Sequence, residues 1–301
     1  MARTRSLLEL EHLSADEITS FLKLARRMQS GKPRPLLRGK RIALLFYEAS
    51  TRTRVSFEFA AKLLGTHTSV ISATASSIEK GESLVDTGKT LQALGSDCIV
   101  VRHPSSGAPQ VLARNLQIPI INAGDGMHEH PSQGLLDAYT ILRHKRSLKG
   151  LRITMVGDIQ HSRVVRSNVH LLSKFGAQII LCGPPELLPE YAASLAPGVK
   201  VSRHIEEAAR KADIIMMLRV QKERLAGLKL DADNYIAHYQ LTPERLKLAK
   251  SDAIVMHPGP MVRGMEIQSE VADGPQSVIE EQVHNGVYVR MAILAACLGV
   301  V

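Results

Sequence analysis

Apolar positions along the chain fall into two alternating rhythms. Short, nearly unbroken apolar runs at 42–47, 69–72, 98–102 and 118–122 predict strands, and apolar residues at helical spacing over 52–64, 84–94 and 108–116 predict the helices between them. Ahead of this series Ser14 stands three residues before Glu17, the pairing of a capping box, and predicts a helix that runs to Gly31 with Pro33 beyond. Strands that are apolar throughout, rather than at every second position, are covered on both faces. The alternation therefore predicts a parallel sheet with helices on either side.

A longer helical pattern over about 131–146 closes this series, and "LRITMVGD" opens a second. Its strands are predicted at 151–157, 178–182, 199–202, 213–218 and 253–256, and Thr242, Pro243 and Glu244 mark a helix start by a capping residue and a first-turn proline. The segment from about 277 to 298 is apolar on one side, with His284-Asn285-Gly286 as the point where a helix would break. The fold class is α/β: two doubly wound parallel-sheet domains joined by interdomain helices near 131–150, with no internal repeat.

Ligands of doubly wound sheets lie beyond the carboxyl ends of the strands, and there the chain is chemically loaded. The first strand is followed by Ser50, Thr51, Arg52, Thr53 and Arg54, the third by Arg102 and His103, and the fourth by "NAGDGMHEHPSQ" with His130 and Gln133. In the second series "GDIQHSR" carries Arg163, "RVQKER" carries Arg219 and Gln221, and "HPGP" spans 257–260. Hydroxyls and unpaired amides at the start of a helix favour an anion, and Arg52 adds a planar, permanently charged fork suited to phosphate oxygens. The segment reads as a phosphate cradle built without glycine. Its rival reading is a simple N-cap followed by solvated arginines.

Other motifs fall short. "TGKT" at 87–90 ends like a P-loop, but Ser83 occupies the position of the required glycine, and the segment reads as helix interior. "VGDIQHSR" lacks the second and third glycines of a dinucleotide fingerprint. His128 and His130 have no carboxylate or cysteine cluster beside them, so no metal and no cofactor is expected. Taken alone, His130 reads equally well as a packing or capping residue and as a carbonyl polariser; the other strand-end residues favour the second.

Composition narrows the class. At 301 residues and 45% hydrophobic the chain supports two cores. Its apolar runs are far shorter than the roughly 20 residues of a membrane span, and the N-terminus has no signal-peptide core, so a soluble cytoplasmic protein without membrane association is expected. Cys98, Cys182 and Cys297 stand apart in apolar contexts and read as buried free thiols. The net charge of +9 is scattered, aromatics make up 4%, and no nucleic-acid recognition pattern appears; a binder of small anions accounts for the charge, and no nucleic-acid partner is expected.

"STRTR" at 50–54, "SSIEKGES", "VRHP", "AGDGMHEHPSQ", "GDIQHSR", "LRVQKER" and "HPGP" together, in this order, resemble the aspartate/ornithine transcarbamoylase family, and within it the aspartate-specific catalytic chains. The resemblance covers essentially the whole chain. It implies an aspartate carbamoyltransferase activity: transfer of the carbamoyl group of carbamoyl phosphate to L-aspartate, giving N-carbamoyl-L-aspartate and phosphate, in de novo pyrimidine biosynthesis. It also implies a carbamoyl-phosphate-binding domain over 1–133, with the C-terminal helix of about 277–301 packing back on it, and an aspartate-binding domain over 134–276.

By the same resemblance Ser50, Thr51, Arg52 and Thr53 bind phosphate, while Thr53, Arg102 and His130 contact the carbonyl oxygen. Gln133 and the backbone at Pro258 and Gly259 hold the carbamoyl amino group, and Arg163, Arg219 and Gln221 hold aspartate. Ser76 and Lys80 reach in from the neighbouring chain of a homotrimer, Lys80 touching both substrates; dihydroorotase or regulatory chains are further candidate partners. The chain departs from relatives at Ser132, Val164, Met261 and Val262, the last three placing polar contacts in question. Ornithine carbamoyltransferases typically carry "HCLP" and an SMG element in place of "HPGP" and "LRVQKER", and clamping arginines suit an anionic acceptor better than ornithine. An inactive metabolite-binding paralogue is a further rival, opposed by the intact Arg52, Arg102, His130 and Arg219.

Overall fold

The Ser14 capping box is formed. Ser14 Oγ accepts the Glu17 amide at 3.2 Å and the Glu17 carboxylate accepts the Ser14 amide at 2.8 Å, starting α1 over Ala15–Ser30. Ile18, Leu22, Ala25 and Met28 form its buried stripe. The computed structural model describes residues 5–31, 34–72, 81–220 and 231–300. The chain divides into two compact units, one of Met1–Tyr139 with Val283–Val301 and one of Thr140–Gln282.

In the first unit β1 (Arg41–Phe46), α2 (Thr51–Leu63), β2 (His67–Ser72), α3 (Leu84–Ala93), β3 (Cys98–His103), α4 (Ala108–Asn115) and β4 (Ile120–Asp125) alternate, and α5 (Pro131–His144) follows. The strands form a parallel sheet in the order β2-β1-β3-β4. Ala43, Leu45, Ile99 and Val101 pack from its centre against Leu112 and Leu116 of the α4 region. The expected burial on both faces holds for β1, β3 and β4 but not for β2, whose Val70 is 40% exposed. Gly88 of "TGKT" lies inside α3, where a Cβ would stand 2.7 Å from Leu112 and 2.9 Å from Leu116; the glycine serves close helix packing.

In the second unit β5 (Arg152–Val156), α6 (Arg163–Lys174), β6 (Gln178–Cys182), β7 (Lys200–Ser202), α7 (Ile205–Ala209), β8 (Ile214–Met217), α8 (Ala232–Tyr239), α9 (Pro243–Leu246), β9 (Ile254–Met256) and α10 (Ser269–Ala272) build a parallel sheet ordered β7-β6-β5-β8-β9. Thr242 caps α9, its Oγ1 accepting the Arg245 amide at 3.3 Å. The predicted strands are all present, 178–182 with the predicted ends and the others shifted by one residue at one or both ends, whereas α6, α7 and α8 are not marked by the strand pattern.

The last helix, α11 (Ile279–Cys297), corrects one expectation: it runs unbroken through His284-Asn285-Gly286. Asn285 is buried and accepts Gln29 Nε2 at 3.2 Å. Gly286 is a matter of space, since a Cβ there would lie 2.4 Å from Nη1 of Arg290 one turn on. Cys98, Cys182 and Cys297 are free and buried, and burial raises all three thiols, the last two to about 12.

Candidate active site

Each sheet reverses its strand order once, and the candidate residues collect at those reversals. In the first unit the order turns between β1 and β3. Ser50–Arg54 follow β1, and Arg102 lies near the end of β3. In the second it turns between β5 and β8, followed by Arg163 and Arg219 respectively. Such reversals splay neighbouring loops apart and leave a crevice beyond the strand ends.

In the first unit Ser50 stands at the N-cap of α2, and among the described residues its side chain forms no capping bond. Thr51 and Arg52 are exposed in the first turn, and Thr53 is buried. Hydroxyls and first-turn amides thus share one helix N-terminus, where the peptide dipoles favour an anion. Arg102 Nε donates to Glu48 Oε2 at 3.1 Å, joining the loop after β1 to β3. Tyr47 packs on the ring of His103, with centroids 4.6 Å apart. Burial holds His103 below the usual imidazole range, and its Nδ1 accepts the Ser105 amide at 3.0 Å, as a neutral ring does.

The loop after β4 is organised around buried Asp125. Its carboxylate accepts the Gly107 amide at 2.7 Å, Asn122 Nδ2 at 2.8 Å and the Glu129 amide at 3.2 Å, and it faces His128 Nδ1 at 3.1 Å. Burial alone would raise the Asp125 pKa, but the bonds from His128, Gly107 and Asn122 prevail and lower it; the same carboxylate raises His128. Glu129 is buried and accepts the Leu10 amide at 2.9 Å and the Glu11 amide at 3.0 Å. His130 then opens α5, its carbonyl accepting the amides of Gln133 at 2.9 Å and Gly134 at 3.2 Å. Its Nε2 lies 3.4 Å from Thr53 Oγ1 and its Nδ1 3.4 Å from Ser132 Oγ. The side chains of the three residues of "HEH" therefore meet different groups: Asp125 for His128, the Leu10 and Glu11 amides for Glu129, and Thr53 and Ser132 for His130. Among the described residues no group of three His, Cys, Asp or Glu is placed to hold a metal ion, and no helix is long and apolar enough to cross a membrane.

Gln133 is buried and its Nε2 donates to Asp137 Oδ1 at 2.8 Å. Arg290 of α11 is 3% exposed, with its guanidinium 5.2 Å from the centre of the Phe57 ring of α2. Burial pushes its pKa down to about 10 against the opposing pull of Asp137, so it stays charged at neutral pH. Sequence reading missed Glu48, Asp137 and Arg290. Two signals were there: Asp137 stands four residues after Gln133, one helical turn, and Arg290 is the lone charge in "VYVRMAILAAC".

In the second unit Gly157 ends β5 at φ 136°, and a Cβ there would meet the Leu218 carbonyl oxygen at 2.8 Å. This glycine, the one element of the discarded dinucleotide motif, lets β5 and the end of β8 approach. Asp158 accepts the His161 amide at 3.1 Å and faces its Nδ1 at 2.9 Å; Ser162 caps α6, accepting the Val165 amide at 3.2 Å. The turn delivers Arg163 as the first residue of α6, half-buried, followed by half-buried Val164. Arg219 is exposed between buried Leu218 and Val220. Gln221, Ser76 and Lys80 lie outside the described residues.

Pro258 and Gly259, both half-buried, sit in a loop stapled from within. His257 Nδ1 accepts the Gly259 amide at 2.8 Å, and its Nε2 lies 3.0 Å from Glu266 Oε1, which also accepts the Val262 amide at 2.6 Å. Met261 and Val262 pack against the second unit's core, which gives those apolar departures a structural use.

Comparison with known proteins places this geometry. Residues 5–143 match the model of the aspartate/ornithine carbamoyltransferase carbamoyl-P binding domain, and residues 149–297 that of the Asp/Orn binding domain. The chain belongs to the aspartate/ornithine carbamoyltransferase family. It is 63% identical over 296 residues to the aspartate carbamoyltransferase catalytic subunit of Koribacter versatilis, covering 98% of both chains, and 56% identical to that of Solibacter usitatus, covering 97% and 99%. Its fold matches the Trypanosoma cruzi aspartate transcarbamoylase solved with N-(phosphonacetyl)-L-aspartic acid at a TM-score of 0.88, 32% identity and coverage of 98% and 96%. An ornithine carbamoyltransferase from Pyrococcus furiosus matches at 0.86 and 29% identity, covering 98% and 97%.

Proposed function

We propose that the chain is an aspartate carbamoyltransferase, moving the carbamoyl group of carbamoyl phosphate to the amine of L-aspartate with release of phosphate, as a step of de novo pyrimidine synthesis in the cytoplasm. The observation that carries the reading is the pair of strand-order reversals: a hydroxyl-rich helix N-terminus with Arg52 and Arg102 at one, and Arg163 and Arg219 at the other. Relatives named as aspartate-specific, 56–63% identical, support aspartate over ornithine as acceptor.

In this reading the first unit binds carbamoyl phosphate. Ser50, Thr51, Arg52 and Thr53 hold its phosphate, and Thr53, Arg102 and His130 donate to its carbonyl oxygen. The second unit binds aspartate, Arg163 and Arg219 pairing with its carboxylates. The amine attacks the carbamoyl carbon, a C–N bond forms, and negative charge develops on the carbonyl oxygen, where preorganised donors lower the barrier. The C–O bond to phosphate then breaks, with Arg52 stabilising the leaving group, and the amine proton passes to the departing phosphate. No side chain acts as a nucleophile, because orienting two charged reactants already removes much of the barrier. The active species is a homotrimer in which Ser76 and Lys80 of a neighbouring chain complete each site.

The direct test is a colorimetric assay for carbamoylated product with carbamoyl phosphate and either aspartate or ornithine as acceptor. Turnover with aspartate at least a hundredfold above that with ornithine is the expected result. Preference for ornithine, or no turnover with either, overturns the reading.

A further inference from the structure

We propose that Asp137 is a positioning residue that makes the first unit select an amino group over an oxygen on the acyl carbon of its ligand, by fixing which end of the Gln133 carboxamide faces that ligand. The proposal rests on the carbamoyl phosphate reading above. Gln133 and Asp137 lie one turn apart on α5, both buried, with 2.8 Å between Gln133 Nε2 and Asp137 Oδ1. A carboxylate has no hydrogen to give, so the group facing it at that distance is the amide nitrogen, and the planar amide then turns Oε1 the other way. Gln133 Nε2 is thereby committed to Asp137, and Oε1 is the end of the amide turned away from it.

An acceptor suits the NH₂ of a carbamoyl group and repels an oxygen in the same place. Carbamoyl phosphate and a carboxy phosphate differ in that one atom, and shape cannot tell them apart. Asp137 is held in turn by its surroundings. Arg290 places a buried positive charge beside it and stacks over Phe57 of α2, the helix whose first turn carries Thr51, Arg52 and Thr53. Gly286 supplies the room for that guanidinium. The C-terminal helix thus bears on the amide that reads the ligand.

The test compares inhibition constants of phosphonoacetamide and phosphonoacetate, which share a phosphonate and a carbonyl and differ in NH₂ against oxygen. The wild-type enzyme favours the amide. In Asp137→Asn the neighbouring side chain can donate as well as accept, Gln133 is released to turn its NH₂ toward the ligand, and the ratio of the two constants shifts toward the acid by about tenfold or more. The same substitution made in a Gln133→Met background shifts the ratio less than about twofold, because the effect runs through Gln133 rather than through the lost charge. An unchanged ratio in folded Asp137→Asn, or an equal shift in the Gln133→Met background, overturns the proposal. Should the stranded Arg290 prevent Asp137→Asn from folding, the ratio is read in Asp137→Asn/Arg290→Met against Arg290→Met, with the same outcomes deciding. Wild-type enzyme that binds neither phosphonate nor inorganic phosphate would instead refute the carbamoyl phosphate reading itself.

Discussion

The Nε2 of His130 and the hydroxyl of Thr53 stand 3.4 Å apart, brought together from the start of α5 and the first turn of α2. Groups that converge in this way can both turn a hydrogen to one oxygen in place of their mutual contact, as a developing oxyanion requires. His130→Ala is expected to lower kcat by about 10²–10³ with little change in carbamoyl phosphate affinity, and His130→Gln, which keeps an N–H, to recover part of the loss. Steady-state kinetics on the folded variants decides; a kcat within threefold of wild type removes His130 from the reaction.

Arg219 is exposed after β8 and flanked by buried residues, so the core does not depend on it. As the carboxylate clamp proposed above, it would hold aspartate alike before and during attack. Arg219→Ala is expected to raise the Michaelis constant for aspartate by about 10–100-fold, the worth of one charge-assisted bond, while carbamoyl phosphate affinity stays put. An unmoved aspartate constant would assign Arg219 elsewhere.

The pairing of His128 with Asp125 makes stability depend on pH with a definite sign. Asp125 raises His128 in the folded state, so the stabilisation is complete below the ordinary imidazole value of about 6.5 and is lost as pH rises through the raised native value. Asp125, lowered, contributes above the ordinary carboxylate range and loses its share as pH falls through its own native value. His128→Gln is expected to cost about 1 kcal/mol at pH 5.5 and much less at pH 9, read from urea unfolding. A cost that does not vary with pH would mean that the ring acts by packing alone.

If a site is shared between neighbouring chains, two dead variants can repair one another. Arg52→Ala removes the leaving-group partner and should reduce turnover by about three orders of magnitude. Lys80→Ala removes the residue that the family resemblance supplies from the adjacent chain. Mixed and reassembled, about one interface in four would combine an intact Arg52 with an intact Lys80 and work at nearly the normal rate. Activity no higher than in the parent variants, after native mass spectrometry has confirmed mixed trimers, would place Lys80 in its own chain's site.

Much of this architecture was legible because parallel strands buried on both faces leave unbroken apolar runs, against which polar residues at the strand ends stand out. Arg52, Arg102, His130 and Arg163 stood out for that reason. What escaped is long-range or spatial. Glu48 reaches Arg102 because β1 and β3 are neighbours in the sheet, a fact of strand order rather than of local sequence. Glu129 binds amides at Leu10 and Glu11, more than a hundred positions away. The break expected at His284-Asn285-Gly286 did not form: Asn285 is buried and bonded to Gln29, and a Cβ at Gly286 would meet Arg290, tertiary contacts that no propensity scale contains.

The division of the chain also bears on its synthesis. The unit begun first, Met1–Tyr139, closes only with Val283–Val301, whereas Thr140–Gln282 is continuous. On the ribosome the second unit has all of its residues while the first still waits for Val283–Val301. The half that carries Ser50–Arg54 is therefore the last to have all of its residues, and a chain cut short before Val283 leaves that half unfinished.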